Sequence, residues 1–486
     1  MPRRARLLVW VAALGGFFWL RVAKADEPST PPNAAPPASS APATDSPANN
    51  QDPAAKGKDQ DAEYYELFKV FADTMDQVER NYVKDVSRRE LMEAAIRGVL
   101  DKLDPYSNYI SPGEMDRFKT SIESQFGGIG IQVDMRQGRL MIVSPLVNSP
   151  AYRAGLQAGD TIVEIEGKSL DGISLDEAIR RMKGEAGTSV TLTVQPRGAE
   201  RRTLTLTREM IRMETVRGER RDNEDHWDFM LDHDRKIGYI RVDSFSRETY
   251  RDLQRAMHDL EKQHLRGLVI DLRFNPGGLL TSAVEVADLF LPDGEIVSTA
   301  GRNSPKRSWT ARKPGTYEGF PMAILVNRAS ASASEVVSAA LQDHKRAVVI
   351  GERTWGKASV QNVIELEGGK SMLKLTTAGY QRPNGHNIHR APDAKESDEW
   401  GVMPDPGYEI KLDDKELAAL FEYRRKKDIL LINHALKPKE DASPPPAVPP
   451  DAVPAATDAN EPKSDFVDRQ LQKALEYLSG ELAKAP

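Results

Sequence analysis

At 486 residues the chain is long enough for two or three domains. Its 67 basic and 73 acidic residues leave a formal net charge of -6, which gives no electrostatic reason to expect a nucleic-acid partner. The absence of cysteine excludes disulfides, thiolate metal sites, a cysteine nucleophile and lipid attachment through an N-terminal Cys.

Arg3, Arg4 and Arg6 precede an apolar run from Leu7 to Leu20, and Ala23-Lys24-Ala25 follows. The run is shorter than the ~20 residues that span a bilayer, and the small-residue pattern suits signal peptidase. Residues 1–25 are therefore expected to be a signal peptide cut after Ala25, or a retained anchor. Either form exports the chain, to a periplasmic location or a tether on the inner membrane. Residues 26–60 are rich in Pro, Ala, Ser and Asp and read as a disordered linker.

Helical periodicity marks residues 61–120, with Tyr65, Phe68, Val70, Phe71, Met75 and Val78 on one face. Residues 121–210 alternate short β patterns with glycine turns. Ile129 to Val133, Leu140 to Val143, Thr161 to Ile165 and Val190 to Val194 read as strands, and Ser174 opens a helix with Glu177 three residues on. Residues 211–437 alternate strands and helices: strands at Ile237 to Val242, Leu268 to Leu272, Met322 to Val326 and Ala347 to Ile350, helices at Leu279 to Leu291 and Ser334 to Gln342, then strands at Val360 to Leu366 and Met372 to Thr377. That alternation predicts an α/β core on a mixed sheet. A second Pro/Ala-rich linker occupies 438–463. Residues 464–486 predict an amphipathic helix with Phe466, Val467, Leu471, Leu475, Leu478 and Leu482 apolar. Such a helix must bury that face on its own core or on a partner.

Several short motifs follow one another in order. They are Leu103-Asp104-Pro105-Tyr106-Ser107, Phe126-Gly127-Gly128-Ile129-Gly130, Ser149-Pro150-Ala151 with Ala154-Gly155-Leu156 and Gly159-Asp160, and Asp271-Leu272-Arg273-Phe274-Asn275-Pro276-Gly277-Gly278. Ser332 follows in a run of small residues, and Lys357 lies 25 residues further on. In this order and spacing they resemble the carboxyl-terminal processing peptidases, or tail-specific proteases, of serine peptidase family S41. The resemblance spans roughly Tyr64 to Lys437. It implies a mixed-sheet α/β protease core with an embedded PDZ domain and a small helical N-terminal region. In that family such helices often support dimerisation, so a homodimer is one expectation.

The resemblance selects Ser332, among Ser330, Ser332 and Ser334, as the nucleophile. Small residues also suit a sharp strand-to-helix corner that exposes a hydroxyl. Lys357 is the expected general base. A free lysine titrates at about 10.4, and an apolar pocket, here expected from Trp355 and Val360, can lower that value. Gln361 matches the family's glutamine, whose amide can orient the amine. An oxyanion needs two N–H donors; Ala333 is one candidate, and the resemblance favours Gly278 with Gly277 close behind as the other.

Phe126, Gly127, Gly128, Ile129 and Gly130 are expected to hold a peptide carboxylate on consecutive N–H groups, while the next strand pairs with the peptide. Lys183 stands where many members carry a PDZ arginine that links this domain to the active site. Ala329 and Ala358 replace glycines usual in the family. His386-Asn387-Ile388-His389 lacks the residues to complete a metal site, and no cofactor is implied. The expected activity is serine endopeptidase cleavage of proteins with accessible, unstructured C-termini. The alternative is a catalytically silent PDZ adaptor.

Overall fold

The computed structural model describes residues 53–430 and 466–484, with side chains from residue 63 onward. The leader at 1–25, the linker at 438–463 and most of the linker at 26–60 lie outside the described residues. Among the described residues no helix is long and apolar enough to cross a membrane. The described residues divide into two compact units, one of those up to 115 with 363–375, the other of 116–362 with those from 376 onward.

The first unit holds helices Pro53–Asn81 and Arg88–Leu100. The first of them starts inside the stretch expected to be linker. The second is capped by Ser87, whose hydroxyl accepts the Glu90 N–H. Tyr65, Phe68 and Val70 are more than half exposed, so the apolar face read from the periodicity is not core. A short strand, Asn108–Ile110, pairs antiparallel with residues 372–374. Asp104 of the Leu-Asp-Pro motif closes the turn before it, accepting the Tyr106 and Ser107 N–H groups at 2.7 and 2.8 Å.

The second unit contains a small six-stranded sheet and the large core. The small sheet packs Leu140, Ile142, Ile162, Val190, Leu192 and Val194 beneath helix Leu175–Met182. Among the described residues its strand Ile131–Arg136 pairs on one side only, with Arg139–Pro145. A separate ribbon pairs Gln125–Gly128 with Glu209–Arg212.

The large core is built on parallel strands Ile237–Val242, Gly267–Asp271, Met322–Val326 and Val348–Gly351. Strands covered on both faces read as mostly apolar runs, as these do apart from the buried Arg241 and Asp271. Alternate residues feed two different cores. Ile240, Val242, Leu268, Ile270, Ile324 and Val326 face helices Thr249–Lys262, Leu280–Asp288 and Ala333–Asp343. Ile237, Tyr239, Val269, Ala323, Leu325 and Ile350 face Ala474 and Leu478 of the C-terminal helix Arg469–Lys484. The C-terminal helix therefore buries its apolar face on its own core. Three elements absent from the sequence reading complete this unit: helix Thr249–Lys262, hairpin Glu295–Gly301 with Ser304–Thr310, and helix Asp414–Asp428.

Candidate active site

Strand Met322–Val326 feeds the turn 327–331, and helix Ala333–Asp343 leaves it, so Ser332 occupies the corner. Its backbone sits at φ 57°, ψ -115°, a conformation that a residue with a Cβ adopts only when its surroundings impose it. Those surroundings are visible. The Ser332 N–H donates to Glu335 Oε2 at 2.8 Å, and Tyr380 Oη lies 3.0 Å from the Ser332 carbonyl oxygen. The neighbouring serines are spent on structure. Ser330 Oγ donates to the Leu272 carbonyl at 2.8 Å, and Ser334 Oγ donates to the Asn275 carbonyl at 2.9 Å. Both are fully buried.

Glu335 is the residue that sequence reasoning missed. Its carboxylate is fully buried and takes four donors. Oε2 accepts the Ser332 and Lys357 N–H groups, each at 2.8 Å, and Oε1 accepts Gly356 N–H at 2.6 Å and Thr354 Oγ at 2.5 Å. One oxygen atom thus joins the backbones of Ser332 and Lys357. Burial pushes the Glu335 carboxyl above its ordinary value, against the pull of those hydrogen bonds. A signal was present in the sequence: Ser332-x-x-Glu335 is the same capping-box pattern recognised at Ser174 and Glu177.

The turn 274–278 lies against this corner. Phe274, at φ 64°, donates its N–H to Asn327 Oδ1 at 3.0 Å. The Asn275 carbonyl accepts Ala331 N–H at 3.0 Å as well as Ser334 Oγ. A Cβ on Gly277 would come within 2.7 Å of the Ala331 carbonyl oxygen and 2.9 Å of the Ala333 nitrogen, so only glycine lets the turn approach this closely. The Gly277 N–H is engaged, donating to Asn275 Oδ1 at 2.8 Å. That argues against Gly277 as an oxyanion donor. The N–H groups of Gly278 and Ala333 find no acceptor among the described residues.

Lys357 is carried to this corner by its own N–H bond to Glu335 and by Tyr380 Oη, 2.6 Å from its carbonyl oxygen. Trp355 is more than a third exposed and does not wall a closed pocket, while Val360 packs on the core. The Gln361 amide donates to Ser359 Oγ at 2.9 Å and Thr376 Oγ at 3.2 Å. Ala329 and Ala358 keep negative φ, so neither position requires glycine. His386 and His389 lie apart from this corner in sequence; His386 pairs with exposed Glu399 at 3.1 Å.

The expected peptide-binding stretch runs through a strand pair and into the small sheet. Phe126, Gly127 and Gly128 are paired with residues 209–211, and Gly184 N–H donates to the Gly127 carbonyl. This pairing engages one side of the ribbon, and the N–H groups of Ile129 and Gly130 have no backbone acceptor among the described residues. Ile129 is core, and beyond Gly130 the unpaired edge of Ile131–Arg136 begins. Lys183 comes to this same region, with Nζ 4.6 Å from the Phe126 ring centroid. Burial, reinforced by Arg117, lowers its ammonium below the ordinary lysine value.

Comparison with known proteins matches three family models. Residues 236–405 match peptidase family S41, 141–196 a PDZ domain, and 38–113 the N-terminal domain of the activating protease CtpB. A carboxy-terminal-processing protease of Bartonella bacilliformis is 36% identical over 438 residues, covering 87% of this chain and 90% of the relative. The carboxy-terminal processing protease CtpB of Bacillus subtilis is 35% identical over 316 residues, 64% of each chain. Among solved structures, a photosystem II D1 C-terminal processing protease is 30% identical, with a TM-score of 0.39 over 71% of this chain and 92% of its own. The PDZ domain of a Vibrio cholerae carboxy-terminal protease, solved with a peptide, is 31% identical, with a TM-score of 0.18 over 18% of this chain and 99% of its own.

Proposed function

Because this chain belongs to the carboxy-terminal-processing proteases of peptidase family S41, we propose that it captures protein C-termini on its PDZ domain and cuts them with Ser332 and Lys357. In this reading the neutral Lys357 amine takes the Ser332 Oγ proton as Oγ attacks the scissile carbonyl carbon. The oxyanion accepts the Gly278 and Ala333 N–H groups. Collapse breaks the C–N bond, Lys357 returns the proton to the leaving amine, and an acyl-enzyme remains. Water, deprotonated by the same lysine, then releases the acid and restores Ser332. Gln361 orients the amine through its carbonyl oxygen without adding charge.

The single observation that carries this reading is the shared Glu335 oxygen, which draws the Ser332 and Lys357 backbones to one point. The tail enters as an added strand on Ile131–Arg136, where backbone groups are open to pairing. The chain is read as exported and periplasmic, soluble or tethered through residues 1–25, with a homodimer as a further expectation. The test is incubation with an unfolded protein, read by mass spectrometry. Fragments with new C-termini are expected from the full chain and none from Ser332→Ala. Equal fragmentation by both proteins overturns the assignment, and none by either supports the silent adaptor.

A further inference from the structure

Arg273 is 1% exposed and immediately precedes the turn that carries Gly278. Its guanidinium is divided between two carboxylates. Nε and Nη2 donate to Asp271 at 3.0 and 2.6 Å, while Nη1 and Nη2 donate to Asp468 at 2.8 and 2.7 Å. Nη1 also donates to Gln470 Oε1 at 3.0 Å. Asp468 and Gln470 lie nearly two hundred residues away in sequence, at the start of the C-terminal helix. Arg424 adds a second cation, bound to Asp271, and donates to the Arg273 carbonyl at 3.3 Å.

The charges balance only when the C-terminal segment is in place. Arg273 and Arg424 face Asp271 and Asp468, two against two. Without Asp468 one positive charge is left uncompensated in the interior, beside the Phe274 backbone at φ 64°. Phe274, Asn275 and Gly277 transmit position directly to the elbow, because the Asn275 carbonyl holds Ala331 and Ser334. An arginine that loses one of its two anchors can tilt, and the turn it supports tilts with it.

We propose that Asp468 is a positioning residue for cleavage, acting through Arg273 to hold the 274–278 turn in register with Ser332. This rests on the reading of Ser332 and Gly278 above. Asp468 touches no reacting atom. It stiffens the donor side of the oxyanion site from the opposite face of the sheet, so the residue just ahead of the C-terminal helix supports the turn while the helix itself covers apolar strands. A small misplacement of an oxyanion donor lowers turnover without changing how a substrate tail is captured.

The experiment compares full-length Asp468→Asn, Asp468→Glu and Leu478→Ala with the parent well below their melting temperatures. Leu478→Ala loosens the same helix through its apolar side and leaves the charges intact. Asp468→Asn is expected to lower kcat about 10- to 100-fold with KM within about twofold. Asp468→Glu is expected to recover most of that loss, and Leu478→Ala to lower the melting temperature with kcat unchanged. In parallel, backbone hydrogen exchange over 273–279 is expected to quicken in Asp468→Asn and not in Leu478→Ala. Unchanged kcat in Asp468→Asn, or an equal kcat loss in Leu478→Ala, overturns the proposal. If the parent cuts no protein, the reading of the function fails, and exchange alone then decides the positioning claim: equal exchange in both variants overturns it.

Discussion

In the proposed function the elbow around Ser332 and the edge strand Ile131–Arg136 handle polypeptide in opposite ways. At the elbow nearly every polar group near the serine is spent: Ser330, Ser334, Asn275 and Glu335 all point inward at protein partners. Along the edge strand one whole side of the backbone is left open. The difference follows from what each region must recognise. A reacting geometry gains from groups already fixed, because nothing then has to reorganise when charge develops. A tail of varied sequence is held through main-chain pairing, which requires unspent donors and acceptors. Rigidity and openness are thus assigned to separate parts of one chain.

The sharpest way to break this contrast is at the reacting groups. Ser332→Ala, Lys357→Ala and Lys357→Arg are each expected to lower kcat by at least about 10³-fold with the fold kept, and the Ser332–Lys357 double variant to be no worse. Circular dichroism and steady-state cleavage check this, and substantial activity in Lys357→Ala would remove the lysine from the mechanism. Next in size is Glu335→Gln, which replaces one acceptor oxygen with an NH₂ facing donors. We expect a loss of about 10²-fold in kcat with little change in KM; a raised KM alone would place Glu335 in substrate binding instead.

Acid should separate the C-terminal helix from the rest. Burial pushes the Asp468 carboxyl up, but Arg273 outweighs it and holds the group below the usual carboxylate range. A depressed folded value contributes stability that is present above the unfolded value of about 3.9 and is lost as pH falls through the folded one. The helix should therefore be fully docked at neutral pH and loosen only below about pH 4. Hydrogen exchange of 466–484 against pH measures this, and loosening above pH 5 would mean that another group governs docking.

Smaller effects are expected on the open side. A peptide ending in a free carboxylate should stimulate turnover several-fold, and its amidated twin should not. The Lys183–Phe126 contact is of the kind worth about 0.5–1 kcal/mol when exposed. Lys183→Ala should accordingly change stimulated activity about two- to fivefold and basal activity less. Equal responses to both peptides would make the domain a passive tether.

The legible parts of the fold share a cause. Ile237–Val242 and Met322–Val326 are bounded as their mostly apolar runs suggest, because a strand buried on both faces carries few polar residues; Arg241 is the exception, paired with Asp243 and Asp428. Ser332 and Gly278 stand out in the sequence through the family resemblance, and the small residues around Ser332 also suit a strand-to-helix corner. Helix Asp414–Asp428 does not stand out, since its buried Arg424 serves a distant carboxylate and its surface is otherwise charged. Periodicity also marks the helix Pro53–Asn81, but it reports a face without saying what covers it, and that face is exposed here. Asp468 and Arg273 could not be paired from sequence, because no local spacing encodes a contact across most of the core.

The covering of the central sheet also sets a clock. A ribosome delivers the chain from its N-terminus, so Val269, Ala323, Leu325 and Ile350 exist before Ala474 and Leu478 do. During that interval one side of four parallel strands is bare apolar surface, the state in which nascent chains aggregate or recruit chaperones. Maturation is consequently gated by the arrival of residues 466–484, and a chain stalled before them should remain bound to a holdase. A protease assembled in this order is finished last at the point that steadies its own cutting edge.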